Sequence, residues 1–315
     1  MTEADAIILD GKTFNLSRYK GYIMVLIGAT LWGLSGTVAQ ALFQYEGFHP
    51  QWLVVVRMVL SGLLLLLIAS IKQNKCQVWA IWKNENDRFR LIIFSFIGML
   101  GVQYTYFEAI QTGNAATATL LQYLGPAFIV LFLAVRFRRF PNFRELVAVS
   151  LALFGTFLLV TDGSVQKLTI STVAVAWGLG SAVSLAFYTL YPAGLLERWG
   201  SVVVVGWSMV VGGVGLSVIN PLWQFQGQHW SLLSVLFVSF VVLFGTLIAF
   251  YLYIDSLRFI TPTEASLLAS AEPLSAALAS VFWLHVSFGI FQVMGGLCII
   301  GTVVILSLRP NKNLL

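Results

Sequence analysis

The sequence predicts an all-α integral membrane protein in which ten transmembrane helices form two inverted five-helix repeats. Three observations predict this fold class: the composition, a succession of ten apolar runs, and a similarity between the two halves of the chain. Of the 315 residues, 58% are hydrophobic and 10% are charged, whereas soluble domains have roughly 45–50% apolar and about 25% charged residues. Because each bilayer crossing takes about 20 apolar residues, ten crossings fill most of the chain. The composition therefore excludes a water-soluble globule and leaves no room for a soluble catalytic domain.

The ten apolar runs are bounded by charged residues, prolines or polar clusters. Each must fold as a helix, because the hydrocarbon interior offers no hydrogen-bond partner to backbone polar groups. The predicted helices cover residues 20–43, 50–71, 89–111, 114–135, 142–161, 170–193, 201–220, 231–257, 263–285 and 286–308. They divide into a first repeat at 20–161 and a second repeat at 169–308, between an amino-terminal tail at 1–19 and a carboxyl-terminal tail at 309–315.

The positions of the basic residues predict the orientation of these helices. If both chain ends lie in the cytoplasm, sixteen of the 18 Lys and Arg residues fall in cytoplasmic segments, Lys167 is external and Arg57 lies within the second helix. Cytoplasmic segments of membrane proteins are enriched in Lys and Arg, so we expect both termini to be cytoplasmic. This distribution also accounts for the net charge of +5. No nucleic-acid partner is expected, because base-stacking aromatic residues are not interleaved with the basic ones.

The two halves of the chain share a sequence pattern that indicates a duplication. Shifting the chain by 147 residues superposes two tyrosines, an acidic residue and, further on, a proline. The superposed pairs are Gly98 and Gly245, Tyr104 and Tyr251, Tyr106 and Tyr253, Glu108 and Asp255, Thr119 and Ser266, and Pro126 and Pro273. Because five helices per unit is an odd number, the second unit enters the membrane from the opposite side. Such inverted repeats are typical of secondary transporters with a midplane site, although fold alone does not determine function.

The duplicated segments occur in a fixed order along the chain. They are Trp32-Gly33, Arg57 with Gly62, Tyr106–Ala109, Ala115–Pro126, Tyr251–Ser256, Ala265–Leu268 and Glu272-Pro273. In this ordered, doubled arrangement the chain resembles the EamA-type transporters of the drug/metabolite transporter superfamily. The resemblance covers residues from about 20 to 308 and depends on the arrangement, because no single motif in it is very specific.

The resemblance implies a central cavity formed by the first four helices of each half, with the fifth and tenth helices packed outside as supports. It also implies the movement of small organic solutes, such as amino acids, across a bacterial inner membrane. The chain departs from the family at three places. Arg136-Phe137-Arg138-Arg139 and Leu284-His285-Val286 stand where members often have Gly-Glu-Arg, and Gly125 stands where many have an acidic residue. The roles of those family acids therefore do not transfer to this chain.

Two ionisable residues within the predicted helices are the leading candidates for substrate binding. Arg57 lies about seven residues into the second helix, and Glu272 precedes Pro273 near the middle of the ninth. A charge at such a depth is costly unless it faces a cavity or a partner. The Arg57 guanidinium suits a substrate carboxylate, and Glu272 suits a substrate ammonium or a proton. The alternatives are an ion pair between the two residues, or an Arg57 side chain that extends to the outer surface.

Aromatic and acidic residues at corresponding positions supply further candidates. Trp32 and Trp177 are related by a shift of 145, and each is followed by a glycine, which lets a helix or a ligand come close. We interpret both as cavity-lining residues, with plain core packing as the alternative. Glu108 and Asp255 lie near the ends of the third and eighth helices, where they either gate two entrances or make interfacial hydrogen bonds.

Uncharged polar residues form stripes on the helices that carry the two prolines. These candidates are Thr119, Gln122 and Tyr123 on the fourth helix and Ser270 on the ninth, together with Gln103 on the third. Polar stripes are expected to face the interior, where they bind substrate or, alternatively, join helices by hydrogen bonds. Because Pro273 removes a backbone donor, the carbonyl of Ala269 is also expected to need another partner.

The sequence contains no motif for nucleotide hydrolysis, zinc-dependent proteolysis or serine hydrolysis. We predict no catalytic residue, no metal site and no cofactor. We predict a secondary active transporter, an exporter or exchanger, that moves a small organic metabolite by alternating access and is surrounded by membrane lipid. Proton coupling is left open, and no oligomeric state is predicted. The alternatives are an intramembrane enzyme acting on a lipid or isoprenoid, and a passive metabolite channel.

Overall fold

The computed structural model describes residues 6–9, 12–72, 75–164, 169–221, 223 and 227–307. Within these ranges, ten helices are long and apolar enough to cross a membrane, which confirms the predicted all-α membrane fold. The membrane-spanning helices are α1 Arg18–Tyr45, α2 Pro50–Ile71, α3 Glu85–Thr112, α4 Ala115–Arg136, α5 Phe143–Thr161, α6 Thr172–Leu190, α7 Ser201–Ile219, α8 Leu232–Ser256, α9 Glu264–Phe282 and α10 Ile290–Ser307.

Short elements precede and connect the long helices. Two four-residue strands, β1 Ala6–Leu9 and β2 Lys12–Asn15, pair antiparallel ahead of α1. A short helix at Lys75–Ala80 and a 3₁₀ turn at Ile81–Lys83 lead from α2 to α3. Another short helix, Ala193–Trp199, joins α6 to α7.

Some helix ends differ from the predicted ones, and local backbone chemistry explains the differences. Helix α3 begins at Glu85, four residues earlier than predicted, because the Asn84 side chain caps it by accepting a hydrogen bond from the Asp87 amide. Helix α6 ends before Pro192, which cannot continue a helix. Helices α9 and α10 are separated by a connection at 283–289, in which His285 adopts a left-handed backbone conformation with φ of 53°.

Helices α4 and α9 are both interrupted near their prolines. Helix α4 consists of Ala115–Gln122 and Gly125–Arg136. The α-helical segments of α9 are Pro262–Leu268, which begins two residues before the membrane-spanning part, and Ala271–Phe282. The interruption at residues 123–124 corresponds to the one at 269–270 within one residue when the chain is shifted by 147. A proline ring displaces the carbonyl of the preceding turn, so both halves carry a break at the same level.

Helices α3 and α8 each contain a π-helical segment, which the sequence analysis did not predict. The segments are Phe94–Leu100 and Leu243–Ile248, and they contain the superposed glycines Gly98 and Gly245. π-helical turns are rare and frequently lie at functional sites. Both halves of the chain therefore share two irregularities in corresponding helices.

The helices pack in a regular set of pairs. Helix α2 packs most extensively on α7, α5 on α10, α3 on α6, and α1 on α9 and α8. The α5–α10 pair crosses closely, because a Cβ atom placed on Gly155 would lie 2.8 Å from the carbonyl oxygen of Gly295. Helices α5 and α10 contact mainly each other, as the resemblance implied, but residues of the last turns of α10 also line the cavity described below.

Gly33 brings α1 into direct contact with the second segment of the broken helix α9, Ala271–Phe282. A Cβ atom at this position would overlap the Ser275 hydroxyl and the backbone oxygen of Glu272, and would lie 2.8 Å from the amide nitrogen of Ala276. Two of these three atoms belong to a backbone, which cannot move aside as a flexible side chain can. The position therefore requires glycine, as the Trp-Gly pattern indicated.

We expect Gly33→Ala to separate α1 from α9 and to destabilise the fold by about 1–3 kcal/mol, the usual cost of overpacking. The measurement is the midpoint of thermal unfolding of the purified protein in detergent, followed by size-exclusion chromatography. Gly194→Ala is the matched control, because a Cβ atom there meets nothing within 4 Å. If the two variants unfold at the same temperature as the parent, α1 does not approach α9 this closely.

Candidate functional site

A cavity of about 1140 Å³ extends from the breaks of α4 and α9 to the loop that joins α4 to α5. At its deep end it is lined by Trp32, Gln122, Tyr123 and Glu272, four of the candidates predicted from the sequence. Mostly apolar residues of α4, α6, α8 and α10 form the wall between this end and the mouth. The residues at the mouth are Arg139, Asn142, Phe143, Arg144 and Glu145.

Tyr123 connects the two broken helices at the deep end of the cavity. Its hydroxyl donates to the carbonyl oxygen of Ala269 at 2.7 Å and lies 3.0 Å from Oε2 of Glu272. Ala269 is the residue whose carbonyl Pro273 deprives of its usual helical donor, and this carbonyl accepts instead from the Tyr123 hydroxyl and, at 2.9 Å, from the backbone amide of Glu272. The Tyr123 hydroxyl, at the break of α4, thus contacts a backbone acceptor and a side-chain acceptor at the break of α9.

Glu272 lies against an aromatic wall. Trp32 packs on Phe250 and Tyr253, with ring centroids 5.1 and 5.3 Å apart, and all three rings line the cavity with Glu272. The Trp32 Nε1 atom is buried and has no hydrogen-bond acceptor in the part of the chain that the structure describes. The deep end therefore offers one carboxylate, one unused indole donor and several ring faces.

Arg57 is buried in the membrane-spanning part of the protein without a counter-ion. Its side chain is 5% exposed, and Cζ lies 4.6 Å from the centre of the Phe107 ring. Among the described residues no carboxylate comes within 4.0 Å of this guanidinium, and Nε has no acceptor.

Both alternatives considered for Arg57 from the sequence are therefore absent from this structure. The guanidinium is too buried to extend to the surface, and it makes no direct ion pair with Glu272. Arg57 is not part of the wall of the open cavity, which Glu272 reaches.

Thr119 and Gln122 on α4 form hydrogen bonds to neighbouring helices. The Tyr106 hydroxyl on α3 lies 2.8 Å from Oγ1 of Thr119, which itself donates to the carbonyl of Ala115 at 2.7 Å. The Gln122 amide donates to Oγ of Ser181 on α6 at 2.8 Å. Thr119 is thus satisfied within the protein, whereas Gln122 both joins two helices and faces the cavity.

Three further candidates lie away from the cavity wall in this structure. Ser270 is 7% exposed, and its hydroxyl has no partner among the described residues. Gln103 is also buried. Trp177 packs edge-to-face on Tyr104 with a centroid distance of 5.7 Å. These side chains are close to the helix centres but do not line the open cavity.

Glu108 and Asp255 lie at opposite ends of the helix bundle. Oε1 of Glu108 accepts a hydrogen bond from Gln51 at 3.3 Å, and Gln51 also donates to the Tyr104 hydroxyl. Asp255 pairs with Arg258 at 3.1 Å, near the mouth of the cavity. Both acids therefore make hydrogen bonds at helix ends, one on the closed side and one on the open side.

The end of the bundle opposite the mouth is closed by aromatic residues. Phe48, Trp52 and Trp230 pack edge-to-face with centroid distances of 5.1 to 5.5 Å. The amide of His229 donates to the carbonyl of Glu46 at 2.9 Å, which joins the α1–α2 and α7–α8 connections. None of these residues lines the cavity.

The sequence analysis missed several residues that complete the site. Phe250 and Tyr253 form the wall beside Trp32, and Ser181 receives the Gln122 amide. Tyr253 had a signal, because it superposes on Tyr106 in the repeat. The only sequence signal for Ser181 is its position about one helical turn after Trp177. Packing determines which side of a helix faces its neighbours, and the sequence does not give that rotation.

We expect Tyr123→Phe to destabilise the protein, because it removes the hydroxyl donor of the Glu272 carboxylate and one of the two donors to the Ala269 carbonyl. A lost buried hydrogen bond with an unsatisfied acceptor costs about 1–3 kcal/mol, measured as a lower midpoint of thermal unfolding. Tyr188→Phe is the matched control, because Tyr188 lines the same cavity and stacks on Phe94 but makes no hydrogen bond within the described ranges. Equal unfolding midpoints for the two variants would contradict the role of the Tyr123 hydroxyl.

Comparisons with known proteins agree with this arrangement. The EamA-like transporter family matches residues 19–161 and 172–308. The chain is 40% identical over 299 residues to the inner membrane transporter YicL of Salmonella typhimurium, covering 94% of this chain and 98% of that protein. It is 24% identical to the threonine/homoserine exporter RhtA of Salmonella typhimurium, covering 93% and 92%. One solved crystal structure has the same fold, with a TM-score of 0.60 and 17% identity over 92% of this chain and 96% of that chain. These matches confirm the resemblance seen in the sequence, and the chain belongs to the EamA-like transporter family.

Proposed function

We propose that this membrane transporter is a secondary active exporter or exchanger. It moves a small organic metabolite, an amino acid or a related compound, across the bacterial inner membrane by alternating access. The observation that carries the proposal is a pair of ionisable residues within the membrane-spanning helices, neither of which makes an ion pair among the described residues. Glu272 lines the deep end of the cavity, and Arg57 is buried outside the cavity wall.

An amino acid matches the chemistry of these two charges. A guanidinium without a counter-ion is costly inside a membrane, and a substrate carboxylate would pair with it through two hydrogen bonds. The substrate ammonium would pair with Glu272, while the unused donors Trp32 Nε1 and Ser270 Oγ would donate hydrogen bonds to further polar groups of the ligand. The names of the relatives YicL and RhtA support an inner membrane location and an amino acid substrate.

Alternating access is supported by the paired construction of the bundle. Helices α3 and α8 share a π-helical segment, α4 and α9 share a break, and α2 packs on α7 as α5 packs on α10. We interpret these pairs as two inverted five-helix repeats, at 20–161 and 169–308. In such proteins one repeat moves against the other around a midplane site. The aromatic closure at Phe48, Trp52 and Trp230 would then open as the present mouth closes.

The charge distribution supports a cytoplasmic position for the present mouth. The α4–α5 loop at the mouth contains Arg136, Arg138 and Arg139, and α5 begins with Phe143 and Arg144. Because basic loops are retained in the cytoplasm, we infer that the cavity faces the cytoplasm and that both chain termini lie on that side. Glu108 would lie at the external entrance and Asp255 at the internal one.

We expect Arg57→Ala to lower the transport of carboxylate-bearing substrates about tenfold to a hundredfold, the loss that follows from one charge-assisted hydrogen-bonding group. The measurement is counterflow in proteoliposomes, with amino acids, organic acids, sugars and nucleosides at several proton gradients. Arg90→Ala is the matched control, because Arg90 is an exposed arginine of α3 without an ion pair among the described residues. An Arg57→Ala variant that transports every solute at the parent's rate would show that Arg57 is not the anchor.

The same experiment separates the transporter from the other functions considered for the sequence. A carrier shows saturation and countertransport, whereas a passive channel shows neither. An intramembrane enzyme would instead release a product from a lipid pool incubated with the purified protein. Flux that shows neither saturation nor countertransport, or a product released from the lipid pool, would overturn the proposal.

We expect Glu272→Gln to abolish the response of transport to an imposed proton gradient, because glutamine keeps the shape of the side chain but cannot release a proton. The measurement compares accumulation in proteoliposomes with and without the gradient, for the parent and the variant. Asn86→Asp is the control for a general change of surface charge, since Asn86 is exposed at the start of α3. Accumulation that still follows the gradient in Glu272→Gln would exclude Glu272 as the proton carrier.

A further inference from the structure

A basic surface at the mouth of the cavity has no role in the proposed transport cycle. It is the segment 136–144, which we call the basic collar and which includes the departure from the family pattern noted in the sequence. The side chains of Arg136, Arg138 and Arg144 are exposed. No carboxylate in the described ranges lies within 4.0 Å of these three guanidiniums. The collar thus presents three unmatched positive charges beside the cavity.

Large apolar side chains alternate with these charges. Phe137, Phe140 and Phe143 are 58%, 97% and 80% exposed, although phenylalanine side chains are usually buried. Together with the arginines they form a surface that is both cationic and apolar. Such a surface suits the boundary between lipid headgroups and acyl chains.

The collar has a fixed conformation. Arg139 donates two hydrogen bonds to the carboxylate of Glu145, at 2.7 and 2.8 Å. Asn142 and Glu145 form a capping box that begins α5, and Arg138 has a left-handed backbone with φ of 48°. The backbone amides of Arg138 and Arg139 bond back to the last turn of α4. The free guanidiniums are therefore held on a loop that is ordered by its own hydrogen bonds.

We propose that the basic collar binds the headgroup of an anionic phospholipid at the mouth of the cavity. Guanidinium groups bind phosphate oxygens through paired hydrogen bonds, and clusters of basic residues beside membrane helices recognise anionic lipids. A free phosphate ion would satisfy the arginines but would leave the three phenylalanine rings in water. A phospholipid satisfies both, because its acyl chains cover the rings. Since Phe143 and Arg144 also line the cavity, the bound headgroup lies at its rim.

The test measures lipid binding to the purified full-length protein in detergent by native mass spectrometry. The probes are phosphatidylglycerol and phosphatidylcholine with identical acyl chains, titrated separately. We expect the parent to prefer phosphatidylglycerol. The triple variant Arg136→Gln, Arg138→Gln and Arg144→Gln should bind it about tenfold to a hundredfold more weakly, since each basic residue near a membrane contributes substantially to such binding.

A matched control removes the same charge from the same end of the bundle. Lys83→Gln, Arg88→Gln and Arg90→Gln change three exposed basic residues just before and within the first turns of α3, and we expect phosphatidylglycerol binding to stay within about twofold of the parent. Size-exclusion chromatography and the unfolding midpoint without added lipid check that both triple variants are folded. A control that loses binding as strongly as the collar variant would overturn the proposal, because net charge rather than the collar would then decide binding.

A second variant tests the apolar part of the surface with all charges retained. Phe140→Ser is expected to weaken phosphatidylglycerol binding several-fold, because the most exposed ring of the collar would no longer contact acyl chain. Unchanged binding in Phe140→Ser would overturn the lipid assignment. Equal binding of the two lipids by the parent, or displacement of the lipid by an equal concentration of inorganic phosphate, would overturn it as well.

Discussion

The structure depends on one constraint: the interior of a membrane supplies no hydrogen-bond partner, so every polar group there must be satisfied by the protein or by its ligand. The breaks in α4 and α9 create such groups. The Tyr123 hydroxyl satisfies the carbonyl of Ala269 from the other broken helix, and so a local defect becomes a contact between the two halves of the bundle.

The same constraint makes the unsatisfied groups informative. Most polar side chains in the helices, such as Thr119, Gln122 and Ser61, bond to a neighbouring helix or to their own backbone. Arg57 and the hydroxyl of Ser270 do not. Proteins retain costly buried charges where function requires them, and in the proposed function a ligand completes the bonding of Arg57. The basic collar follows the same logic at the membrane surface, where exposed rings and unmatched arginines together fit a lipid.

The sequence predicted the parts of this structure that follow from short-range chemistry. The ten helices follow from apolar runs, the close approach at Gly33 from the Trp-Gly pattern, and the exposed carbonyl of Ala269 from Pro273. It did not predict the π-helical segments of α3 and α8, because their composition is that of any apolar helix. It could not decide whether Arg57 pairs with Glu272, since that depends on how far α2 and α9 are rotated and displaced by packing. The sequence also could not predict the hydrogen bond at the start of α10. There the backbone amide of Gln292 donates to the carboxylate of Asp162, which lies 130 residues earlier in the chain.

The two halves of the chain differ at Tyr123 and Glu272, which line the deep end of the cavity. Gly125 and Glu272 occupy corresponding positions under the shift of 147, as do Tyr123 and Ser270. The first half therefore contributes a hydroxyl donor and no acid, and the second contributes the acid and the freed carbonyl. The Tyr123 hydroxyl has one hydrogen and two acceptors, the Ala269 carbonyl and the Glu272 carboxylate. When a cation or a proton neutralises Glu272, the Tyr123 hydroxyl donates to the Ala269 carbonyl alone. The charge of Glu272 is thus linked to the contact that joins the two broken helices. In the proposed transport cycle the two repeats would move against each other, and this unequal pair would make that movement respond to what occupies the cavity.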